Sequence, residues 1–355
     1  MHSFRILLLP LAWIYGLIVR LRHWMFNKEI LESVSFRIPL IGVGNLSLGG
    51  TGKTPVVEYL IRLLYKNHKV ATLSRGYGRK SSGFLIGNQF SRHGDIGDEP
   101  MQYVRKFGNK ITVAVDENRR RGIRHLMDNA KSLEVIILDD VFQHRYVKPG
   151  LSLLLTDYHK LYMDDFLFPA GTLRDTVKVA GLADIVIVTK CPRVLSPITR
   201  KNIEEKLDPL PHQKLYFSYL TYGEFTNIPG LEKKPMPEQI NTILLFTGIA
   251  NSYPLQEHLM DQCGEMVIMD FADHHVFKRK DISRIKQKYD DIFTPKKIIV
   301  TTEKDAMRLM HSPFLKEFNE YPIYYLPVEV VFHHEDDEEF NSQILNYVRK
   351  NKRND

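Results

Sequence analysis

The sequence predicts an α/β protein with a mainly parallel sheet flanked by helices, followed by a second, smaller α/β domain. Three observations lead to this fold class. Short apolar segments of strand length alternate with segments of helical periodicity along most of the chain. The 355 residues exceed the usual length of one domain, and the apolar fraction of 43% is enough to build real cores. We see no low-complexity segment and no repeat.

The predicted strands are short apolar runs that come in sequence order. They lie at residues 38–43, 70–73, 111–115, 134–138, 151–155, 184–188, 242–246, 267–269 and 297–300. Two further segments, 216–222 and 321–331, are extended and aromatic. We expect these two to pair as a tether and to send a last helix, near 341–349, back onto the first domain.

A glycine-rich turn follows the first strand at residues 44–54, Gly-Asn-Leu-Ser-Leu-Gly-Gly-Thr-Gly-Lys-Thr, and precedes a segment of helical periodicity at 55–64. Such a loop directs backbone N–H groups and a helix N-terminus toward phosphates, and is typical of a P-loop. Ser47 stands where the strict pattern has glycine, and a purely structural turn is the alternative. The predicted nucleotide-binding residues are Gly49, Gly50, Thr51, Gly52, Lys53 and Thr54, with Lys53 on the β- and γ-phosphates and Thr54 on Mg²⁺.

Two adjacent acids, Asp139 and Asp140, end the strand at 134–138. A carboxylate at the carboxyl end of a parallel strand can meet Mg²⁺, and neighbouring side chains of an extended chain point in opposite directions. One acid is therefore expected on the metal, and the other on substrate or on Lys53. Ordinary turn chemistry is the alternative, and the sequence leaves open which acid binds the metal.

Six short motifs then occur in a fixed order, and together with the P-loop they carry a resemblance. They are 74–78 (Ser-Arg-Gly-Tyr-Gly), 97–100 (Gly-Asp-Glu-Pro), 139–144 (Asp-Asp-Val-Phe-Gln-His), 169–175 (Pro-Ala-Gly-Thr-Leu-Arg-Asp), 272–274 (Ala-Asp-His) and 302–306 (Thr-Glu-Lys-Asp-Ala). With these motifs the chain resembles the tetraacyldisaccharide 4′-kinase family, over about residues 40–310. The resemblance implies ATP and Mg²⁺, and phosphorylation of the 4′-hydroxyl of a tetraacylated glucosamine disaccharide 1-phosphate in lipid A biosynthesis.

The resemblance also implies roles for single residues. Asp98 matches the general base, which takes the proton of the sugar hydroxyl, and His274 matches a histidine of the second domain that assists it. Glu99 matches a position that approaches the metal, although it could equally belong to a charged turn. Weaker matches, as substrate or phosphate contacts, are Tyr77, Arg119, Gln143, His144, Arg174 and Asp175.

At three positions in or near these motifs the sequence departs from the family pattern or allows another interpretation. Residues 119–121 are a basic triplet, for which a solvated helix face is the alternative interpretation. Val141 replaces the glycine of the family motif, so the backbone there must avoid positive φ. Asp175 replaces a glutamate and is one methylene shorter, so its reach does not carry over.

The first thirty residues carry an apolar run at 6–19, bounded by arginines. As a helix the run reaches about 21 Å, short of the roughly 30 Å hydrocarbon thickness of a bilayer. We therefore expect it to lie in or on the membrane, with the protein peripheral or monotopic on the cytoplasmic face of the inner membrane. A signal peptide and an ordinary core helix are the alternatives.

Composition limits the remaining possibilities. The excess of 49 basic over 42 acidic residues suits an anionic membrane surface, and no nucleic-acid recognition motif accompanies it. Cys191 and Cys263 match no zinc spacing, and no obligate protein partner is evident. The predicted domains are a membrane-associated helix at 1–30, a P-loop kinase domain at 31–218, a smaller α/β domain at 219–325, and a returning strand and helix at 326–355.

Functions of other classes remain possible at this point. A nucleotide-driven GTPase or ATPase switch, or a metallochaperone, would use the same P-loop without phosphorylating an acceptor. Residues 186–190 (Val-Ile-Val-Thr-Lys) resemble a guanine-reading loop, but Pro192 stands where that loop has aspartate. A purely structural nucleotide binder at the membrane would leave Asp98 and the paired acids unexplained.

Overall fold

The computed structural model describes residues 2–130, 132–249, 251–273, 275–310 and 312–351. In these residues the helices are α1 His2–Asn27, α2 Lys53–Leu64, α3 His93–Ile96, α4 Asp98–Phe107, α5 Arg119–Asn129, α6 Pro197–Leu207, α7 Tyr253–Met260, α8 Arg279–Asp290, α9 Glu303–Leu309 and α10 His334–Lys350. Short 3₁₀ turns lie at Gly108–Lys110, Tyr162–Asp164, Val177–Leu182 and Leu315–Phe318.

The strands of the same residues form two separate sheets. They are β1 Leu40–Asn45, β2 Val70–Ser74, β3 Leu85–Gly87, β4 Thr112–Val115, β5 Val135–Asp139, β6 Leu151–Asp157, β7 Ile185–Thr189, β8 Lys214–Tyr222, β9 Thr226–Asn227, β10 Thr242–Thr247, β11 Glu265–Asp270, β12 Lys297–Thr302, β13 Ile323–Leu326 and β14 Val328–Phe332. The predicted strands at 38–300 are thus all present, within a few residues of their expected ends.

The first sheet has the order β14-β8-β7-β6-β1-β5-β2-β4-β3. Its seven central strands are parallel, and only the two edge strands, β3 and β14, run antiparallel to their neighbours. Side chains alternate between two cores: Ile41 and Val43 of β1 face one, and Leu40 faces the other. Helices α2, α4 and α10 cover the first core, and α5 and α6 cover the second.

The second sheet has the order β11-β10-β12-β13-β9, with the first four strands parallel. Helix α7 packs on one face, and α8 and α9 pack on the other. The predicted α/β fold, with a mainly parallel sheet flanked by helices and a second smaller α/β part, is confirmed. The exact limits of the domains stay a prediction.

The chain crosses between the two sheets at two neighbouring places. It leaves the first sheet at the end of β8 and returns with β14, which pairs antiparallel with β8 in the register Val328↔Tyr222. The segment predicted as one extended stretch, 321–331, is therefore two strands in different sheets, separated at Pro327. Proline has no N–H to donate to a ladder, which favours a break at that position.

Helix α10 packs against β1 of the first sheet. The Tyr347 hydroxyl donates to the Leu40 carbonyl and accepts from the Leu40 N–H, both at 3.1 Å. Phe340 and Ile344 are buried in the first core, and the Tyr59 hydroxyl of α2 donates to Asp337 at 2.6 Å.

Helix α1 is longer than the apolar run that predicted it, and Pro10 lies inside it. One face docks on the first sheet's part of the molecule: Ala12 and Phe26 are buried, and the Tyr15 hydroxyl donates to the Arg174 carbonyl at 2.7 Å. The other face exposes large apolar side chains, among them Trp13 with 69% of its surface accessible. In the described residues we find no helix long and apolar enough to cross a membrane.

Candidate active site

The P-loop connects β1 to α2 as predicted, and the helix begins at Lys53, two residues earlier than its apolar pattern suggested. Gly49 and Gly52 have φ of 113° and 80°, a left-handed backbone that glycine adopts without strain. No side chain caps the start of α2. Its first N–H groups are thus left for an anion, which the helix dipole also favours.

The Lys53 ammonium group is held at the end of β1. Its Nζ donates to Asn45 Oδ1 at 3.0 Å and lies 3.5 Å from Asp140 Oδ1. Asn45 is fully buried and is the last residue of β1. We did not identify Asn45 from the sequence; a polar residue that ends an otherwise apolar strand beside a P-loop is the signal that could have found it.

The far side of the loop rests on β7. The Thr189 hydroxyl donates to the Thr51 carbonyl at 2.9 Å and lies 3.1 Å from the Thr156 carbonyl at the end of β6. The loop therefore rests on the carboxyl ends of three parallel strands, β1, β6 and β7, which is the usual place for a ligand site in a parallel sheet.

Asp139 and Asp140 have opposite environments. Asp140 is half-exposed and binds Arg174 with both carboxylate oxygens, at 2.7 and 3.0 Å. Burial alone would raise the pKa of Asp140, but the hydrogen bonds from Arg174 and the charge of Lys53 hold that pKa well below its usual range. Asp140 also takes the positive φ of this turn, at 58°, so Val141 avoids it as the sequence required.

Asp139 is buried, and its burial, together with the nearby charge of Glu99, raises its pKa to about 6. Its Oδ2 accepts a weak hydrogen bond from Tyr103 at 3.4 Å, whereas its Oδ1 is buried without any hydrogen-bond partner in the described structure. An unsatisfied carboxylate oxygen beside the Lys53 charge is a natural ligand for a cation that arrives with the nucleotide.

The residues fit Mg²⁺ in the form in which P-loop proteins bind it. The described residues contain no group of three or more His, Cys, Asp or Glu side chains that could hold a metal. Mg²⁺ does not need one, because it commonly uses one or two protein oxygens together with phosphate oxygens and water. The buried Asp139 Oδ1, the buried Thr54 and the nearby Glu99 supply hard oxygen donors of that kind.

Asp98 and Glu99 are the first two residues of α4, after Gly97 with φ of 90°. A Cβ on Gly97 would lie 2.7 Å from the Tyr77 carbonyl, so the Gly-Asp-Glu-Pro and Ser-Arg-Gly-Tyr-Gly segments are in direct contact. The Asp98 carboxylate lies 3.6 Å from Arg308 Nε of α9, in the second sheet's part of the molecule. The Tyr77 side chain is 84% exposed.

His274, predicted to assist Asp98, lies outside the described residues. Its neighbour His275 is engaged within its own part of the chain: Nε2 lies 3.0 Å from Asp281 Oδ2, and the ring stacks on Phe271.

Arg119 is buried, with 4% of its surface exposed, so the interpretation as a solvated helix face is wrong for this residue. Its guanidinium donates to the carbonyls of Leu73, Asp139 and Asp140. These hydrogen bonds fix the backbone of Asp139 and Asp140. The position of Arg119 in a basic triplet does not predict this structural role. Arg121 of the same triplet is exposed and pairs with Asp116.

Gln143 and His144 follow the paired acids. Gln143 Nε2 donates to the Asn45 carbonyl at 2.8 Å, and its Oε1 is buried without a partner in the described structure. His144 Nε2 lies 2.9 Å from Arg75 Nη1. Burial and the charges of Arg119 and Arg75 lower the pKa of His144 to about 4, so the ring is neutral near pH 7.

Asp175 is buried against α1, where its Oδ1 lies 2.7 Å from His23 Nε2. Arg22 Nη2 of the same helix donates to the Gln143 carbonyl at 2.9 Å. Helix α1 therefore contacts both motif segments that flank the P-loop. This docking could not be predicted from the sequence, because His23 lies beyond the apolar run and its partner is 152 residues away.

Comparisons with known proteins find relatives over almost the whole chain. The family model described as tetraacyldisaccharide-1-P 4′-kinase matches residues 4–349. The chain is 47% identical to the tetraacyldisaccharide 4′-kinase of Bacteroides thetaiotaomicron, over 98% of this chain and 94% of that protein, and 42% identical to that of Flavobacterium johnsoniae, over 99% of each. A solved structure of an "apo" form LpxK from Aquifex aeolicus in complex with ATP superimposes with a TM-score of 0.72, at 27% identity, over 97% of this chain and 99% of that one.

Proposed function

We propose a function from the premise that this chain belongs to the tetraacyldisaccharide-1-P 4′-kinase family. The chain is an ATP-dependent kinase of lipid A biosynthesis with a P-loop fold. We infer that its acceptor is the 4′-hydroxyl of a tetraacylated glucosamine disaccharide 1-phosphate. The observation that carries this is the approach of a P-loop lysine and a carboxylate pair at one sheet edge, with a further carboxylate, Asp98, at the start of a neighbouring helix.

Each part of the site has a task in phosphoryl transfer. The N–H groups of the P-loop and the Lys53 ammonium group bind the β- and γ-phosphates. The Asp98 carboxylate takes the proton of the acceptor hydroxyl while the oxygen attacks the γ-phosphorus, the bond to the β-phosphate oxygen breaks and ADP leaves. Orientation and charge stabilisation are the main contributions that a protein makes to this reaction.

Mg²⁺, when bound, neutralises charge that builds up on the phosphate oxygens. Thr54 and Asp139 would hold it, with Glu99 within reach as a further oxygen donor. The unsatisfied Oδ1 of Asp139 supports this assignment over Asp140, since both oxygens of Asp140 already bind Arg174.

His274 is proposed as the partner of Asp98 on the resemblance alone. The engagement of His275 with Asp281 supports the choice between the two adjacent histidines. Replacing His274 with Ala should lower kcat far more than it weakens ATP binding. Equal turnover in the variant would remove His274 from the mechanism.

A peripheral position at the cytoplasmic face of the inner membrane is part of the proposal. The outward face of α1 carries Leu11, Trp13, Ile14, Ile18 and Leu21, each more than half exposed. Arg20 lies next to them, and such a face suits an interface with anionic headgroups. A variant without residues 1–25 should lose sedimentation with vesicles of anionic phospholipid, and equal sedimentation of both proteins would contradict this.

The activity itself has a direct test. Purified protein, Mg-ATP and a monophosphorylated tetraacyl disaccharide should give a product that is heavier by one phosphate, and this transfer should be lost in Lys53→Met and Asp98→Asn. Lys66→Met, an exposed lysine just after α2, is the matched control and should keep full transfer. A nucleotide-driven switch would instead hydrolyse nucleotide without forming a phosphorylated lipid, and family membership already disfavours it.

A further inference from the structure

Helix α4 of the first sheet's part and helix α9 of the second sheet's part lie against each other, and one ion pair crosses this contact near the site. Arg308 Nε of α9 lies 3.6 Å from Asp98 Oδ2 of α4. The two residues are 210 positions apart in the sequence, and their helices pack on different sheets. The carboxylate proposed as the base is thus in ion-pair contact with a guanidinium from the other half of the molecule.

Arg308 is fixed from its own side. Its Nη1 donates to Asp305 Oδ1 at 2.9 Å and to the Gly248 carbonyl at 3.0 Å. Asp305 is itself fully buried, and its Oδ2 accepts from the Gly248 N–H at 2.8 Å and from the Thr302 hydroxyl at 2.6 Å. The guanidinium is therefore a fixed feature of the α9 surface, and its Nε lies 3.6 Å from Asp98 Oδ2.

Asp98 is fixed on its side through the backbone. It opens α4 directly after Gly97, whose positive φ and close approach to the Tyr77 carbonyl define where the helix starts. The side chain remains partly exposed, and a carboxylate at a helix N-terminus is stabilised by the dipole. On the side of α9, its Oδ2 lies 3.6 Å from Arg308 Nε.

A second charged contact holds α4 and α9 together. The Lys106 ammonium group lies 2.6 Å from Glu58 of α2 and 2.6 Å from Glu303, the first residue of α9. This bridge lies within the same pair of helices as the Arg308–Asp98 contact. The distance between Arg308 and Asp98 thus depends on how α9 packs on α4.

We propose that Arg308 is a positioning residue for phosphoryl transfer, which orients the Asp98 carboxylate toward the acceptor hydroxyl when α9 lies against α4. Arginine remains protonated and neither gives nor takes the proton. The proton passes from the hydroxyl to Asp98, the new O–P bond forms and ADP leaves, as in the reaction above. This inference rests on the proposed role of Asp98 as the base.

The first test compares Arg308→Gln with Arg308→Lys in the full chain. Arg308→Gln should lower kcat by roughly 10- to 100-fold, because orientation of a reacting group is worth that order, while KM for ATP stays within about twofold because the P-loop is untouched. Arg308→Lys keeps a positive charge and a hydrogen-bond donor opposite Asp98, so it should recover most of the kcat that Arg308→Gln loses.

Arg279→Gln is the matched control. Arg279 also pairs with a carboxylate in the second sheet's part, Glu317 at 3.1 Å, but this pair is exposed and lies on α8. Its removal should leave kcat and KM for ATP unchanged. An equal loss of kcat in Arg308→Gln and Arg308→Lys, or a rise in KM for ATP as large as the fall in kcat, would overturn the inference.

A double-mutant cycle separates the inference from the proposed function. In an Asp98→Asn background, adding Arg308→Gln should lower the residual rate less than twofold, since the residue through which Arg308 acts is gone. An equal loss in both backgrounds would mean that Arg308 acts on the phosphate or on folding, and would refute the proposal. Wild-type turnover in Asp98→Asn alone would instead refute the base itself. If Arg308→Gln does not fold, the same cycle with Arg308→Met, which keeps the apolar stem of the side chain and removes the guanidinium, decides.

Discussion

The Arg174 guanidinium binds the Asp140 carboxylate through both terminal nitrogens, with Nη2 2.7 Å from Oδ1 and Nη1 3.0 Å from Oδ2. The same Nη2 donates to Asn45 Oδ1 at 2.5 Å, and this oxygen also accepts from Lys53. Arg174 and Lys53 therefore share two acceptors. The loop that carries Arg174 sets the electrostatic surroundings of the P-loop lysine.

Replacing Arg174 with Gln should weaken ATP binding. Without the Arg174 guanidinium, the Asp140 carboxylate loses its partner and attracts the Lys53 ammonium group away from the phosphates. KM for ATP should therefore rise by about tenfold, which corresponds to a loss of about 1.4 kcal/mol in binding free energy. Steady-state kinetics with varied ATP measures this. Arg193→Gln, an exposed arginine after β7, is the control. An unchanged KM for ATP in Arg174→Gln would show that Asp140 does not compete for Lys53.

Asp139 and Asp140 should differ in their dependence on Mg²⁺. Asp139→Asn should raise the Mg²⁺ concentration needed for half-maximal activity by an order of magnitude or more, because it neutralises a carboxylate whose buried Oδ1 has no hydrogen-bond partner in the described structure. Asp140→Asn should lower activity with a smaller change in that concentration, since its oxygens bind Arg174. Titration of Mg²⁺ at saturating ATP distinguishes the two, and the reverse order would assign the metal to Asp140.

Glu58 should make stability depend on pH. Its buried carboxylate accepts hydrogen bonds from Gln102, Lys106 and Arg62. Burial and the negative charge of Glu303 raise the pKa of Glu58, the positive charge of Lys106 lowers it, and the net result is a pKa of about 7. A carboxyl whose pKa is higher in the folded than in the unfolded protein contributes stability that is complete below pH 4.5 and is lost as pH rises through 7.

The measurement is the thermal midpoint of wild type and Glu58→Gln between pH 5 and 8. The Glu58 contribution should make the wild-type midpoint fall more steeply with rising pH than that of the variant, by a few degrees (~2–4 °C) over this window. Glu205→Gln, which changes an exposed carboxylate of α6, should follow the wild-type slope. Identical slopes in wild type and Glu58→Gln would mean that Glu58 is ionised throughout.

Tyr347→Phe should destabilise the protein without changing the site. The hydroxyl bonds both the N–H and the carbonyl of Leu40, and the carbonyl also accepts from the Gly150 N–H. Because Tyr347→Phe removes the acceptor of the buried Leu40 N–H, it should cost about 1–3 kcal/mol in the free energy of unfolding. Tyr65→Phe, a half-buried tyrosine after α2, should cost under about 0.5 kcal/mol. Denaturant unfolding compares them, and equal losses would deny α10 a special role at β1.

The sequence predicted the strands well because seven parallel strands buried on both faces must be apolar runs. Asp139, the last residue of β5, was identified because a second acid follows it. Asn45 and Asp157, the last residues of β1 and β6, were not identified, because apolar patterning does not register a single polar residue at the end of a strand. Asn45 lies at the phosphate-binding loop, where its Oδ1 accepts from Lys53. The start of α2 was misplaced for the same reason, since Lys53 and Thr54 are polar but already helical.

Contacts between distant segments account for what the sequence could not provide. Arg119 and Arg121 look alike in a basic triplet, and only the carbonyl groups at the ends of β2 and β5 decide that the first is buried. The partners of Asp175 and Asp98, His23 and Arg308, lie 152 and 210 residues away. No local pattern relates such pairs, whereas the phosphate-binding loop is local and was recognisable.

The register Val328↔Tyr222 means that the chain departs from and rejoins the nine-stranded sheet at a single point. All nine strands of that sheet lie outside residues 223–327, so a two-residue Asn-Gly hairpin turn joining Tyr222 to Val328 could excise the intervening module and spare every strand. The shortened protein would keep the phosphate-binding loop and lose Arg308. Nucleotide binding could then be measured in a protein that no longer carries out phosphoryl transfer.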